Sequence, residues 1–570
     1  MAARGGHEYE GMIAASSLSV PVRPAAALAP WRLGCWAIAL LVAAPILGVV
    51  GSVGDTDGAA LRHLAVTTLP GILASTLGLA LVVATGTAVI GVAAAWLVTM
   101  CRFPGSRTME WALLLPMAMP AYIVGYAYTD LLAFAGPVQT ALREATGWRR
   151  GDYWFPELQS VGGAGAMFVL VLYPYVYLMA RAAFLEQSVC VLEAGRMLGA
   201  RPWRSFLAIA LPLARPAIAA GIALALMETL ADFGTVQYFG IQTFTTAIYR
   251  TWYGMGERGA AAQLACMLLA VVLVLLALER ASRGRSRFHH ASRSRREIRP
   301  FALSGWRAVA AGAACAVPVA LGFVVPVAVL ARFHAIAGER AWTPAFGGLA
   351  LNSLIVAGLA AAIAVAAALV LGYGLRRARD RWTIGAIRLA TTGYAIPGTV
   401  IAVGVVIWLG RFDNALDAWA RTALGVSTGL LLSGSIAALL FAHLVRFLPV
   451  ATGAIEAGLG RITASMDDAA RTLGARPARV LAHVHAPMMR ASVLTAATLV
   501  FVDVLKELPA TLLVRPFNFD TLAVHVYALA SDERLAEAST AALAIVLVGL
   551  APVAILSAMI RRARAARQAA

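Results

Sequence analysis

The chain has a single lysine, Lys506, among its 47 lysine and arginine residues. A Walker-type phosphate loop needs a lysine directly after its glycines to reach the terminal phosphates. Lys506 sits instead in the apolar stretch FVDVLKELPA, so the chain carries no such motif and is not expected to hydrolyse ATP. Charge of either sign is scarce: 13% of the 570 residues are charged and 60% are hydrophobic, with a mean hydropathy of +0.77. That balance leaves no stretch long enough for a soluble catalytic domain. The five cysteines (Cys35, Cys101, Cys190, Cys266 and Cys315) are scattered singly, which excludes a disulfide framework or a zinc site read from spacing. No nucleophile stands with a base and an orienting acid, so no catalytic residue is assigned. His289-His290 lies among arginines and reads as solvated, and no resident metal site is expected.

What the chain does have is apolar length. A span needs about 20 predominantly apolar residues to cross the hydrocarbon core. Twelve stretches qualify: 33–53, 72–100, 109–135, 164–185, 214–235, 261–279, 306–331, 350–374, 384–409, 429–450, 490–513 and 539–560. The first is too long and starts too late for a cleaved signal peptide, so it reads as an uncleaved span. Pro116 and Pro120 in the third, and Pro397 in the ninth, are expected to be tolerated within their spans, with neighbouring helices satisfying the freed backbone groups. The pattern predicts an all-α integral membrane protein.

Arginine placement orients it. Eight arginines lie between Arg280 and Arg299; Arg376, Arg377, Arg379 and Arg381 fill one short loop, and Arg561, Arg562, Arg564 and Arg567 lie near the C-terminus. All fall on one side if spans alternate from an internal N-terminus, which puts both termini in the cytoplasm. The net charge of +18 then reflects topology and contact with anionic membrane lipid, and no nucleic-acid partner is expected.

One polar segment occurs twice. Glu193 to Ile218 reads EAGRMLGARPWRSFLAIALPLARPAI, and Asp468 to Val493 reads DAARTLGARPARVLAHVHAPMMRASV. The offset is constant, since 468 − 193 = 275 and 487 − 212 = 275 for the later prolines. Pro174 and Pro449, Phe244 and Phe519, Thr246 and Thr521, and the acids Asp232 and Glu507 keep the same separation. Two homologous halves in parallel, six spans each, follow from this register. The expected organisation is a tail at 1–32, a first half at 33–280, a basic linker at 281–305, a second half at 306–560 and a basic tail at 561–570. His483 and His485 stand where the first half has Ala208 and Ala210, and read as asymmetry between the copies. Tyr173, Tyr175 and Tyr177 alternate along the fourth span and read as packing or interfacial residues.

The acid-Ala-x-x-x-x-Gly-Ala pattern within that repeat resembles the EAA loop of the permease subunits of ABC importers. The resemblance implies a type I importer fold of about 12 helices, in which loops 186–213 and 451–489 dock on two copies of a cytoplasmic ATPase. The coupling residues it implies are Glu193, Ala194, Gly199, Ala200, Arg201 and Pro202, with Asp468, Ala469, Gly474, Ala475, Arg476 and Pro477 in the second copy. An acid suits the start of a short helix, and Gly then Arg-Pro suits its end. ATP and Mg would sit on the partner, with no cofactor on this chain, and a periplasmic binding protein would deliver the cargo across the bacterial inner membrane. The phrases MPAYIVGYAYTDLL (Met119 to Leu132), ETLADFGTVQYFG (Glu228 to Gly240) and FVDVLKELPATLLVRPFNFDTLAVHVY (Phe501 to Tyr527) look like those of fused ferric-iron permeases. Thiamine, polyamine and phosphonate permeases are the nearer alternatives, and a secondary transporter or a membrane-embedded enzyme the remoter ones.

Five ionisable residues fall inside spans: Glu228 and Asp232 in the fifth, and Asp503, Lys506 and Glu507 in the eleventh. A charge there is expensive and faces the bundle interior, marking a pathway or a pair. Two readings stand side by side. The carboxylates line a cavity that attracts a hard cation such as ferric iron, or Lys506 pairs with an acid and fixes helix packing or a gate.

Overall fold

A computed structural model describes residues 29–55, 59–149, 151–187, 197, 202–283, 300–338, 342, 345–378, 380–475 and 477–568. Among them the only sheet is a two-residue parallel pair, Cys101–Arg102 with Phe301–Ala302; the rest of the regular structure is helical. Eleven helices are long and apolar enough to cross a membrane, and the bent pair Ser106–Ala118 and Ala121–Thr146 makes a twelfth if counted as one span. The helices that position the site are α1 (Ala29–Gly51), α2 (Leu69–Met100), α3 (Val161–Glu186) and α4 (Leu211–Ala231) in the first half. In the second half they are α5 (Phe346–Arg377), α6 (Gly398–Leu424), α7 (Ile436–Leu459), α8 (Ala464–Thr472) and α9 (Ala486–Leu505).

Two of the expected spans are broken at their prolines. Stretch 109–135 runs as Ser106–Ala112, a 3-10 turn at Leu115–Ala118, then a new helix from Ala121, bent by 90°. Stretch 384–409 runs as Arg381–Ala390, a 3-10 turn at Gly393–Ala395, then α6. Pro120 (ψ 137°) and Pro397 (ψ 140°) are each the extended residue just before the new helix. Proline has no N–H to give and disfavours helix in the residue before it, so it suits a helix entry. Pro174 and Pro449 do remain inside α3 and α7. The fifth and eleventh spans also stop early, at Ala231 and Leu505, just short of Asp232 and Glu507.

Helix association in lipid relies on close approach by small residues and on polar groups satisfied locally. Helix α5 buries Ala357, Ala360, Ala361, Ala364 and Ala368, at helical spacing, and packs on α7 and α9. Buried hydroxyls bond carbonyls one turn back: Thr229 to Ala225 (2.9 Å), Ser353 to Leu349 (2.9 Å) and Thr452 to Leu448 (2.8 Å). The first helix of each half reaches across the division. Helix α1 packs on α5, α6 and Arg381–Ala390 of the second half. Trp306–Ala337 packs on first-half elements, where Tyr128 donates to the Leu321 carbonyl at 2.7 Å.

Candidate functional site

The broken spans converge on a cavity of about 110 Å³. Three chain breaks line it: Met119 to Ala121, Ala231 to Gly234, and Lys506 to Pro509. The breaks at Asp232 and Glu507 are built alike. Asp232 accepts from the backbone N–H of Thr235 (2.9 Å) and Val236 (3.3 Å) and from the Thr235 hydroxyl (3.1 Å). Glu507 accepts from the N–H of Ala510 (2.8 Å) and Thr511 (2.9 Å) and from the Thr511 hydroxyl (2.7 Å). Each carboxylate therefore caps the short helix that follows it, Gly234–Tyr238 or Pro509–Val514. A capping acid satisfies N–H groups that lipid cannot.

The five expected intramembrane residues all line this cavity and divide into two roles. Asp232 and Glu507 hold the chain breaks. Glu507 also faces Arg446 of α7, with Nη1 and Oε1 3.7 Å apart. The other three sit on the helix ends that approach the cavity: Lys506 pairs with Asp503 at 3.0 Å, and Tyr394 donates to Glu228 Oε1 at 2.7 Å. The Tyr394–Glu228 bond joins the two halves. Lys506 thus pairs at the end of its own helix, and all five residues face the cavity. Among the described residues, no group of three or more His, Cys, Asp or Glu is arranged to hold a metal ion. The described lining of the cavity is of mixed charge.

Of the first repeat, Glu193, Ala194, Gly199, Ala200 and Arg201 lie outside the described residues, and Pro202 opens the short helix Pro202–Ser205. The second repeat is described except for Arg476. Asp468 and Ala469 lie on α8, and Pro477 opens Pro477–Val480. Gly474 has φ +76°, and the Ala475 N–H donates back to the Ala470 carbonyl at 3.0 Å. That is the left-handed helix stop for which glycine is suited. Leu473, immediately before it, is 87% exposed. Asp468 points outward, whereas its neighbour Asp467 turns in to Arg376 (2.9 Å) and to His485 (2.6 Å). Burial alone would raise the Asp467 carboxyl, but the hydrogen bonds from His485 and Arg376 outweigh it and hold it below the ordinary carboxylate value.

Several of these partners escape sequence reasoning. Arg446 and Tyr394 have no counterpart at the matching first-half positions, Val171 (275 earlier) and Met117 (277 earlier, the separation of Pro120 and Pro397), so the repeat could not flag them. His485 looked like asymmetry between copies, and it is, but it is buried and doubly bonded. Tyr173 and Tyr177 are fully buried, as expected of packing residues, while Tyr175 between them lines the cavity.

Residues 87–287 match the family described as binding-protein-dependent transport system inner membrane component. The chain is 27% identical to the Fe(3+)-transport system permease protein FbpB 2 of Haemophilus influenzae, over 85% of this chain and 89% of that protein. It is 30% identical to the molybdenum transport system permease protein ModB of Escherichia coli, over 34% of this chain and 87% of that one. It is also 26% identical to a putative 2-aminoethylphosphonate transport system permease protein, PhnU of Salmonella choleraesuis, over 44% of this chain and 87% of the relative.

Proposed function

The chain belongs to the family of binding-protein-dependent transport system inner membrane components, and on that premise we propose that it is the double-length permease of an ATP-driven ferric-iron importer. The observation that carries the permease role is the pairing of two in-register handle segments with one cavity at the converging chain breaks. The cargo assignment rests on the ferric permease that this chain matches along most of both lengths. Four carboxylates against two basic groups around the cavity suit a hard cation held weakly in passage.

In this reading both handles and both termini face the cytoplasm. Two copies of a separate ATPase subunit, which hold the ATP and Mg, grip the handles at 186–213 and 451–489. A loaded periplasmic binding protein opens the outer side, ATP closes the ATPases, and the handles swing the halves about the cavity. The kinked helices fit such a motion, because a chain already broken at Pro120, Asp232, Pro397 and Glu507 can tilt as separate pieces. Lys506 and Arg446 lining the cavity favour a second reading, an oxyanion cargo such as a phosphonate.

The test is uptake of radiolabelled ferric citrate in cells lacking this chain and other iron routes, with and without its restoration. Restored uptake that excess thiamine, spermidine or 2-aminoethylphosphonate does not blunt is the expected result. Unchanged iron uptake would move the cargo to one of the competitors and leave the permease role in place.

A further inference from the structure

The two halves join their handles to the membrane helices by different chemistry, although the backbone there repeats. In both, the chain climbs from the handle into the membrane through a π-helical turn, Phe206–Ala210 in the first half and Leu481–His485 in the second. A π-turn adds a residue to the helical repeat and so re-aims the side chains around it. In the second half the last residue of the turn is His485, which is 5% exposed. Its Nε2 lies 2.6 Å from Asp467 Oδ1, and its Nδ1 lies 2.5 Å from the Tyr373 hydroxyl. A carboxylate only accepts, so Nε2 carries the proton and Nδ1 accepts from tyrosine in the neutral ring. Asp467 Oδ2 accepts from Arg376 Nη2 at 2.9 Å. The other arm of Arg376 donates to the carbonyls of Leu459 (3.2 Å) and Ile462 (2.8 Å), at the end of α7 and just beyond it.

At the separation of 275 the first-half positions are Ala210 for His485 and Leu192 for Asp467; at the separation of 277 that Pro120 and Pro397 keep, they are Trp96 for Tyr373 and Thr99 for Arg376. None of those side chains can rebuild the network. Trp96 packs instead on Phe206 (4.9 Å between ring centroids) and Phe184 (5.6 Å), with Trp203 tilted against Phe206. The first half therefore has an aromatic contact where the second has a chain of charge-assisted hydrogen bonds. Aromatic faces can slide at small cost, whereas a buried carboxylate deprived of its donors is penalised.

We propose that Asp467, His485, Tyr373 and Arg376 form a polar clasp that fixes the second coupling helix, α8, to α5, α7 and α9, whereas the matching π-turn of the first half, Phe206–Ala210, meets its neighbours through aromatic contacts. These four are positioning residues: they touch neither cargo nor nucleotide and act through α8. The functional half of the inference rests on the importer reading; the clasp itself does not.

The experiment uses the full chain in lipid nanodiscs, alone and with its co-purified ATPase. Hydrogen exchange of 464–472 is read for Asp467→Leu and His485→Ala, each a swap to the first-half residue. His485→Gln, which keeps a donor and an acceptor, is the conservative partner. Exchange should accelerate about tenfold or more in the first two, as loss of a charge-assisted bond implies, and stay near wild type in the third. In proteoliposomes the first two should keep ATP hydrolysis while transporting several-fold less labelled ferric iron per ATP. Wild-type exchange in Asp467→Leu would overturn the clasp, and faster exchange with unaltered iron per ATP would overturn its coupling role. A clasp that holds in a chain without ATP-driven uptake would instead overturn the importer reading.

Discussion

The two capping carboxylates should respond very differently to loss of charge. Glu507 is 2% exposed at its side chain and faces Arg446, 9% exposed, across 3.7 Å. At that separation the attraction is about 4 kcal/mol at an effective dielectric of about 20. Glu507→Gln removes it and strands a buried guanidinium. It also turns an amide N–H₂ toward one of the two backbone N–H groups that Glu507 now satisfies. The expected cost is about 3–5 kcal/mol, the range for breaking a buried pair from one side. Asp232 has no basic partner among the described residues, and its three bonds come from Thr235 and Val236. Asparagine caps a helix about as well as aspartate, and the Thr235 hydroxyl can turn to accept from the amide, so Asp232→Asn should cost under about 1 kcal/mol. Unfolding by SDS in mixed micelles, followed by tryptophan fluorescence, measures both. Adding Arg446→Met to Glu507→Gln should recover much of the loss, because the stranded charge is gone. Equal costs for the two single variants would refute the argument that the Arg446 pair distinguishes them.

Gly474→Asp should abolish uptake while leaving membrane insertion and yield intact. An added Cβ there meets nothing within 4 Å, so the fold loses only about 1–2 kcal/mol of left-handed backbone preference while the docking surface gains a charge; normal transport would sink the docking assignment. Gly398→Ala should destabilise the protein by about 1–3 kcal/mol and impair uptake, because its Cβ would collide with the Arg446 guanidinium and reach 3.0 Å from Glu507 Oε1; wild-type stability in the same SDS assay would contradict the close approach. Asp467, held below its ordinary value among Arg376, Tyr373 and His485, contributes stability that is present above about pH 3.9 and is lost as pH falls through its lower folded value. Exchange of 464–472, corrected for intrinsic rate, should therefore step up below about pH 4, and that step should be missing in Asp467→Asn.

How far the sequence foretold this arrangement depends on which periodicity carried the information. Apolar length marks spans because lipid leaves the chain little choice, and the sequence repeat at 275 residues marks two halves, with the π-turns Phe206–Ala210 and Leu481–His485 recurring at that separation. Interruptions within spans were harder to place. Pro120 and Pro174 are both prolines in apolar runs, yet one stands at a chain break and the other inside a helix. The difference lies in what surrounds the freed carbonyls, which only tertiary packing supplies. The acids at 232 and 507 were visible as an equivalent pair, but their shared role was hidden while they were counted as helical. Once the helix stops before each, a charge in the membrane becomes the cap of the next short helix. What the repeat could not reveal is whatever breaks it. Arg446, Tyr394 and the Asp467–His485 contact each exist in one half only, and a comparison built on likeness discards them. A permease fused from two halves can let those halves diverge without a second gene product to pair correctly. The unmatched residues around the cavity and beside the second repeat are therefore where the two halves depart from their symmetric plan.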